Sequence, residues 1–121
     1  MTFAIQLFVD AVSDTAVRSV WEALATTRLS HMRDSGNRPH FSLALYRELT
    51  VPVCASLLTS FAETHSPFAL TSESVGIFPG EQFVVFLAPI VIPDLLDLHR
   101  EVHQLLQGAG AFPRPYYLPG H

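Results

Sequence analysis

The apolar residues fall in short runs of two different periods, punctuated by proline and glycine. A chain of this kind cannot build a long helical array; it has to pack short strands against short helices. From Phe3 to Val9 the residues Phe3, Ile5, Leu7 and Val9 share one face and Ala4, Gln6 and Phe8 the other. Both faces are largely apolar, which predicts a strand central in its sheet. Ser13 or Asp14 then caps a helix whose stripe is Val17, Val20, Trp21 and Leu24, with Arg18 and Glu22 spaced for a surface ion pair. Thr26 to Pro39 is a polar loop turning at Ser35-Gly36-Asn37. A second strand runs from His40 to Tyr46. A second helix opens at Thr50, carries Pro52 in its first turn, and buries Cys54, Leu57, Leu58 and Phe61. Strands near Phe68–Phe78 and Gln82–Ile90 flank a hairpin turn at Pro79-Gly80-Glu81. A third helix starts at Pro93, buries Leu95, Leu98, Val102, Leu105 and Leu106, and stops at Gly108 and Gly110. The tail from Ala111 is irregular. The order β-α-β-α-β-β-α is that of an α+β domain, with helices laid on a largely antiparallel sheet.

Composition narrows the function classes. With 121 residues the chain is one domain, residues 1–121, and 49% hydrophobic against 15% charged residues excludes wholesale disorder. A formal charge of −4 excludes a protein that grips nucleic acid by net charge, although Arg18, Arg28, Arg33 and Arg38 concentrate around one loop. Phe83 to Ile92, the longest apolar run, contains Pro89 and is far short of the roughly 20 residues needed to span a bilayer. Met1 to Asp10 lacks a basic leader, and Cys54 is the single cysteine, which excludes an intrachain disulfide framework. The expectation is a soluble cytoplasmic protein without a membrane partner.

The chemistry concentrates in Arg38-Pro39-His40-Phe41-Ser42-Leu43-Ala44-Leu45-Tyr46. Strict alternation sends Phe41, Leu43 and Leu45 into the core, and His40, Ser42, Ala44 and Tyr46 out together. An imidazole and a hydroxyl side by side on a strand can serve one phosphate. The hydroxyl donates to a non-bridging oxygen while the imidazole moves a proton at a bridging or attacking oxygen. Ala44 leaves room above the sheet. Tyr46 is placed to border the pocket and stack on a base, and Arg38 to meet phosphate. Catalytic His40 and Ser42, with substrate-binding Arg38 and Tyr46, are the candidate site. A solvent-facing strand would carry the same H-x-S spacing without any chemistry, so the tripeptide alone is not specific.

The surrounding residues add to it. Pro39-His40-Phe41-Ser42-Leu43 resembles the P-H-x-[ST]-L signature of the two-histidine phosphoesterase superfamily, which includes 2′-5′ RNA ligases and cyclic nucleotide phosphodiesterases. Phe3–Asp10, Phe68-Ala69-Leu70 leading to Val75–Pro79, Phe83–Ile90 and Leu95-Leu96-Asp97-Leu98-His99 are similar to the superfamily's other segments in order, over nearly the whole chain. The resemblance implies a bilobal α+β fold whose lobes each contribute one H-x-[ST]. One histidine is general base and the other general acid, on RNA termini or small cyclic nucleotides. No metal or other cofactor is implied. The second H-x-[ST] is missing: His31, His65, His99 and His103 are followed two places later by Arg33, Pro67, Glu101 and Leu105, and His121 is the last residue. The expectation is therefore a truncated relative of doubtful activity, with a sheet edge open to another copy. The alternative is a non-catalytic nucleotide-binding or assembly module that retains half of the site.

Other constellations are weaker. His99 and His103 stand at i, i+4, but His-Arg-Glu-Val-His is not H-E-x-x-H and has no evident third ligand, so a solvated helix face accounts for them. Cys54 and Trp21 read as core residues. Gly76 and Gly80 fit no phosphate-binding loop, and no G-x-S-x-G occurs.

Overall fold

The computed structural model describes residues 2–120. Among them the order is β1 (Phe3–Phe8), α1 (Ala11–Ala25), α2 (His31–Asp34), β2 (His40–Glu48), α3 (Val51–Glu63), β3 (Ser72–Phe78), β4 (Val84–Pro89), α4 (Pro93–Leu106) and β5 (Phe112–Pro113), closed by a 3₁₀ turn at Pro115–Tyr117. The architecture is α+β with antiparallel pairing throughout, divided into two sheets: β1-β2-β5, and the hairpin β3-β4. β1 is thus an edge of its sheet and β2 the centre, a correction to the reading of β1 as central. Residues 68–71 precede β3 instead of belonging to it. Gly36, at φ 75°, takes the left-handed conformation that the Ser35-Gly36-Asn37 turn requires, and the short α2 fills part of the polar loop before it.

Asp10, not Ser13 or Asp14, caps α1: its carboxylate accepts the Ser13 backbone N–H at 2.8 Å. That bond and the Ser13 hydroxyl hold the Asp10 carboxyl below its usual range. Arg18 pairs with Asp14, one turn back, and not with Glu22. α3 and α4 both carry proline in the first turn, where the missing N–H costs nothing. They lie on one face of the β1-β2-β5 sheet. Leu43, Ala44 and Tyr46 of β2, Cys54 of α3, and Val102 and Leu106 of α4 form the buried centre, ringed by Phe3, Ile5, Leu7, Leu57 and Leu98 among others.

The register of β1 on β2 explains this core. Phe8 opposes His40, Leu7 opposes Phe41 and Gln6 opposes Ser42, but Ile5 opposes Ala44. Leu43 is an extra residue, a β-bulge, and it resets the alternation of everything after it. Ala44 and Tyr46 consequently turn into the core with Leu43, at 0% and 2% exposure. The expectation that Ala44 and Tyr46 project beside His40 and Ser42 is corrected here: strict two-residue alternation does not survive an inserted residue. Sequence alternation has no marker for the bulge.

Candidate functional site

The first half of β2 keeps its regular pairing, so His40 and Ser42 share the face turned away from α3 and α4. Ser42 is exposed and His40 half-buried. Two residues of β1 join them. Phe8 is the cross-strand neighbour of His40, and Gln6 that of Ser42. Opposed pairs of this kind lie within side-chain reach of one another. Phe8 is half exposed, and the Arg38 guanidinium carbon sits 3.9 Å above the centre of its ring. One open sheet surface therefore carries an imidazole, a hydroxyl, an amide, an aromatic face and a guanidinium.

Arg38 also acts through its backbone. The His40 ring nitrogen Nδ1 lies 2.6 Å from the Arg38 carbonyl oxygen. A carbonyl can only accept, so Nδ1 carries the proton. In the neutral ring Nε2 is then the bare nitrogen, free to take a proton from another group. Pro39 between them is buried, which fixes the segment making this bond. Among the described residues no carboxylate neutralises the guanidinium. Among the described residues the ion-paired arginines are Arg18, Arg33 and Arg100, and Arg38 is not one of them.

Of the four residues singled out from sequence, His40, Ser42 and Arg38 meet at one end of this surface. Tyr46 does not: it lies on the packed face of the sheet, its ring centre 6.2 Å from that of His103. It borders a cavity of about 330 Å³ formed with His103, Gln104, Leu106 and the tail, on the helix side and away from His40. Sequence reasoning missed Gln6 and Phe8. Their shared face was visible, but only the register shows which residues of β2 they oppose.

His99 and His103 have structural partners. His99 Nε2 donates to the Tyr117 carbonyl at 2.7 Å and pins the 3₁₀ turn. His103 Nε2 donates to the carbonyl of the bulged Leu43 at 3.1 Å, a group that the distorted ladder leaves in need of a partner. Both rings are half-buried, so the solvated helix face expected for them is corrected: they hold the tail and the bulge. Burial, above all, pushes His103 below the usual histidine range.

A family model described as the 2′-5′ RNA ligase superfamily matches residues 11–118. The chain belongs to the 2′-5′ RNA ligase superfamily. No curated protein and no solved structure matches it. The matched span includes the whole of β2 and the Arg38 segment, so the His40–Ser42 face lies within the superfamily's own region; β1, which supplies Gln6 and Phe8, lies before it. Among the described residues no helix is long and apolar enough to cross a membrane.

Proposed function

We propose that the His40–Ser42 face binds a phosphate ester at an RNA end or on a small cyclic nucleotide, and that His40 moves a proton there. Nε2 of His40 is the acceptor, oriented by the Nδ1–H bond to Arg38. Ser42 donates its hydroxyl to a non-bridging oxygen, and the Arg38 guanidinium offsets the negative charge. For a 2′,3′-cyclic phosphate, His40 takes a proton from the attacking water. A second group must protonate the leaving ribose oxygen as the ring opens. A 5′-hydroxyl attacking in place of water, its proton going to His40, opens the ring in the same sense: the P–O5′ bond forms, the P–O3′ bond breaks, and a 2′-5′ bond results. The observation that carries this reading is the fixed tautomer of His40 beside an exposed hydroxyl on one face. Tyr46 has no part in it.

Hydrolysis of a 2′,3′-cyclic nucleotide by this chain and by His40→Ala tests the reading. Loss of a general base costs about 10²–10⁴-fold. Turnover unchanged in His40→Ala refutes the role given to His40. Since no other histidine of the 121 residues is followed two places on by Ser or Thr, we expect wild-type turnover to be slow. The lone, buried Cys54 suits a reducing cytoplasm.

A second reading, an assembly module that retains half of the site, is favoured by the β3-β4 hairpin. On one of its faces Val75, Ile77, Val85 and Leu87 are all more than half exposed. An isolated two-stranded hairpin is marginal in water, and this one invites pairing with a second copy through its edge. Nucleotide binding without turnover, together with a stable dimer, favours this reading over the enzymatic one.

A further inference from the structure

Phe8 is a large apolar side chain, half exposed, at the end of an edge strand. Packing does not account for it, since the core lies on the other face of the sheet. What it does make is a stack: the guanidinium carbon of Arg38 stands 3.9 Å over its ring, within the distance at which an aromatic face attracts a cation. Phe8 is also the cross-strand partner of His40. The stack therefore places a guanidinium, unpaired with any carboxylate among the described residues, at the His40 end of the surface. A loop arginine left to itself samples many rotamers and loses that freedom when it binds an anion. One already lying on a ring has less to lose, and its in-plane N–H groups stay free to fork onto two phosphate oxygens.

We infer that Phe8 is a positioning residue that turns Arg38 into a preorganised phosphate clamp, giving the site a preference for a nucleoside monophosphate over the nucleoside without its phosphate. The inference rests on the functional reading above and extends it to β1. The ring acts through the arginine, not by stacking on a base.

Adenosine 2′-monophosphate is the probe and adenosine the control, titrated against the full chain by calorimetry or NMR. Removing the guanidinium in Arg38→Ala is expected to weaken monophosphate binding about tenfold, the scale of a charge-assisted contact. Phe8→Leu keeps an apolar side chain but removes the π face, and is expected to weaken it about three- to fivefold. Neither variant should change adenosine binding. The double variant should bind no worse than Arg38→Ala alone, because Phe8 has nothing left to position, and Phe8→Tyr should bind like the wild type. Equal losses for adenosine and its monophosphate in Phe8→Leu would overturn the inference in favour of a base-stacking ring. Monophosphate binding that Phe8→Leu leaves intact but His40→Ala weakens overturns it too, with the functional reading standing. A wild-type chain that binds the monophosphate no better than adenosine sinks that reading, and this inference with it.

Discussion

Two histidines other than His40 respond to pH in opposite senses. His65 Nδ1 bonds the Phe61 carbonyl at 2.7 Å and Nε2 meets Glu101 at 2.7 Å, tying the end of α3 to α4. The Phe61 carbonyl first, and then Glu101, hold its pKa above the usual 6.5. A raised folded pKa means that this stabilisation is complete below pH 6.5 and is lost as pH climbs through the folded value. His103 is the reverse case. Burial lowers its pKa, so its contribution is complete above pH 6.5 and shrinks as pH falls toward the lower folded value. Urea unfolding across pH 5–8 checks both: His65→Gln should flatten the alkaline decline and His103→Gln the acid one. Tyr46 offers a third test at this scale. Among the described residues its hydroxyl is buried without a hydrogen-bond partner, and burial raises its pKa. An unsatisfied buried polar group costs about 1–3 kcal/mol, so Tyr46→Phe should stabilise the fold by about 1 kcal/mol. A loss of that size instead would show the hydroxyl to be bonded.

At the scale of elements, the bulge in β2 decides what the strand presents. Before Leu43 the strand shows His40 and Ser42 to one side; after it, Ala44 and Tyr46 turn toward α3 and α4. Deleting Leu43 would let Ala44 take its inward place and leave Tyr46 facing the core, so the strand would alternate strictly with no bulge. We expect that deletion to keep a cooperative urea transition, with stability lowered by about 2–5 kcal/mol for the lost buried leucine side chain. The α4 stripe is a simpler case. Leu106 is fully buried, and Leu106→Ala should cost about 2–5 kcal/mol in chemical denaturation. In β3, the Phe86 ring lies directly over Gly76 and stacks with Phe78 at 4.6 Å. A Cβ at position 76 would have to displace that ring, which is the reason for glycine inside this strand.

For the molecule as a whole, apolar side chains are distributed unevenly between interior and surface. The centre between the β1-β2-β5 sheet and helices α3 and α4 is closed, while α1 contains no buried residue and the β3-β4 hairpin exposes Ile77 and Val85 by more than half. If the hairpin mediates assembly, Ile77→Lys should lower self-association in sedimentation velocity and leave the circular dichroism of the fold intact, because position 77 is not part of the core. A double-lysine variant with Val85→Lys that stays as associated as the wild type would exclude the hairpin as the contact.

The sequence by itself determined the α+β class, the three long helices, two of them with proline starts, the hairpin at Pro79-Gly80, and the pairing of His40 with Ser42. These follow from periodicity and local backbone chemistry, which act over a few residues. It also carried the superfamily, because the Pro39–Leu43 segment and the spacing of elements persist in the linear chain. Only the tertiary structure decided the rest. Whether Tyr46 faces His40 depends on one bulged residue. Whether Phe8 and Gln6 belong to the site depends on register, and whether Arg38 is held depends on a ring 30 residues earlier in the chain. Cross-strand register is a contact between distant segments, and no local pattern of residues encodes it.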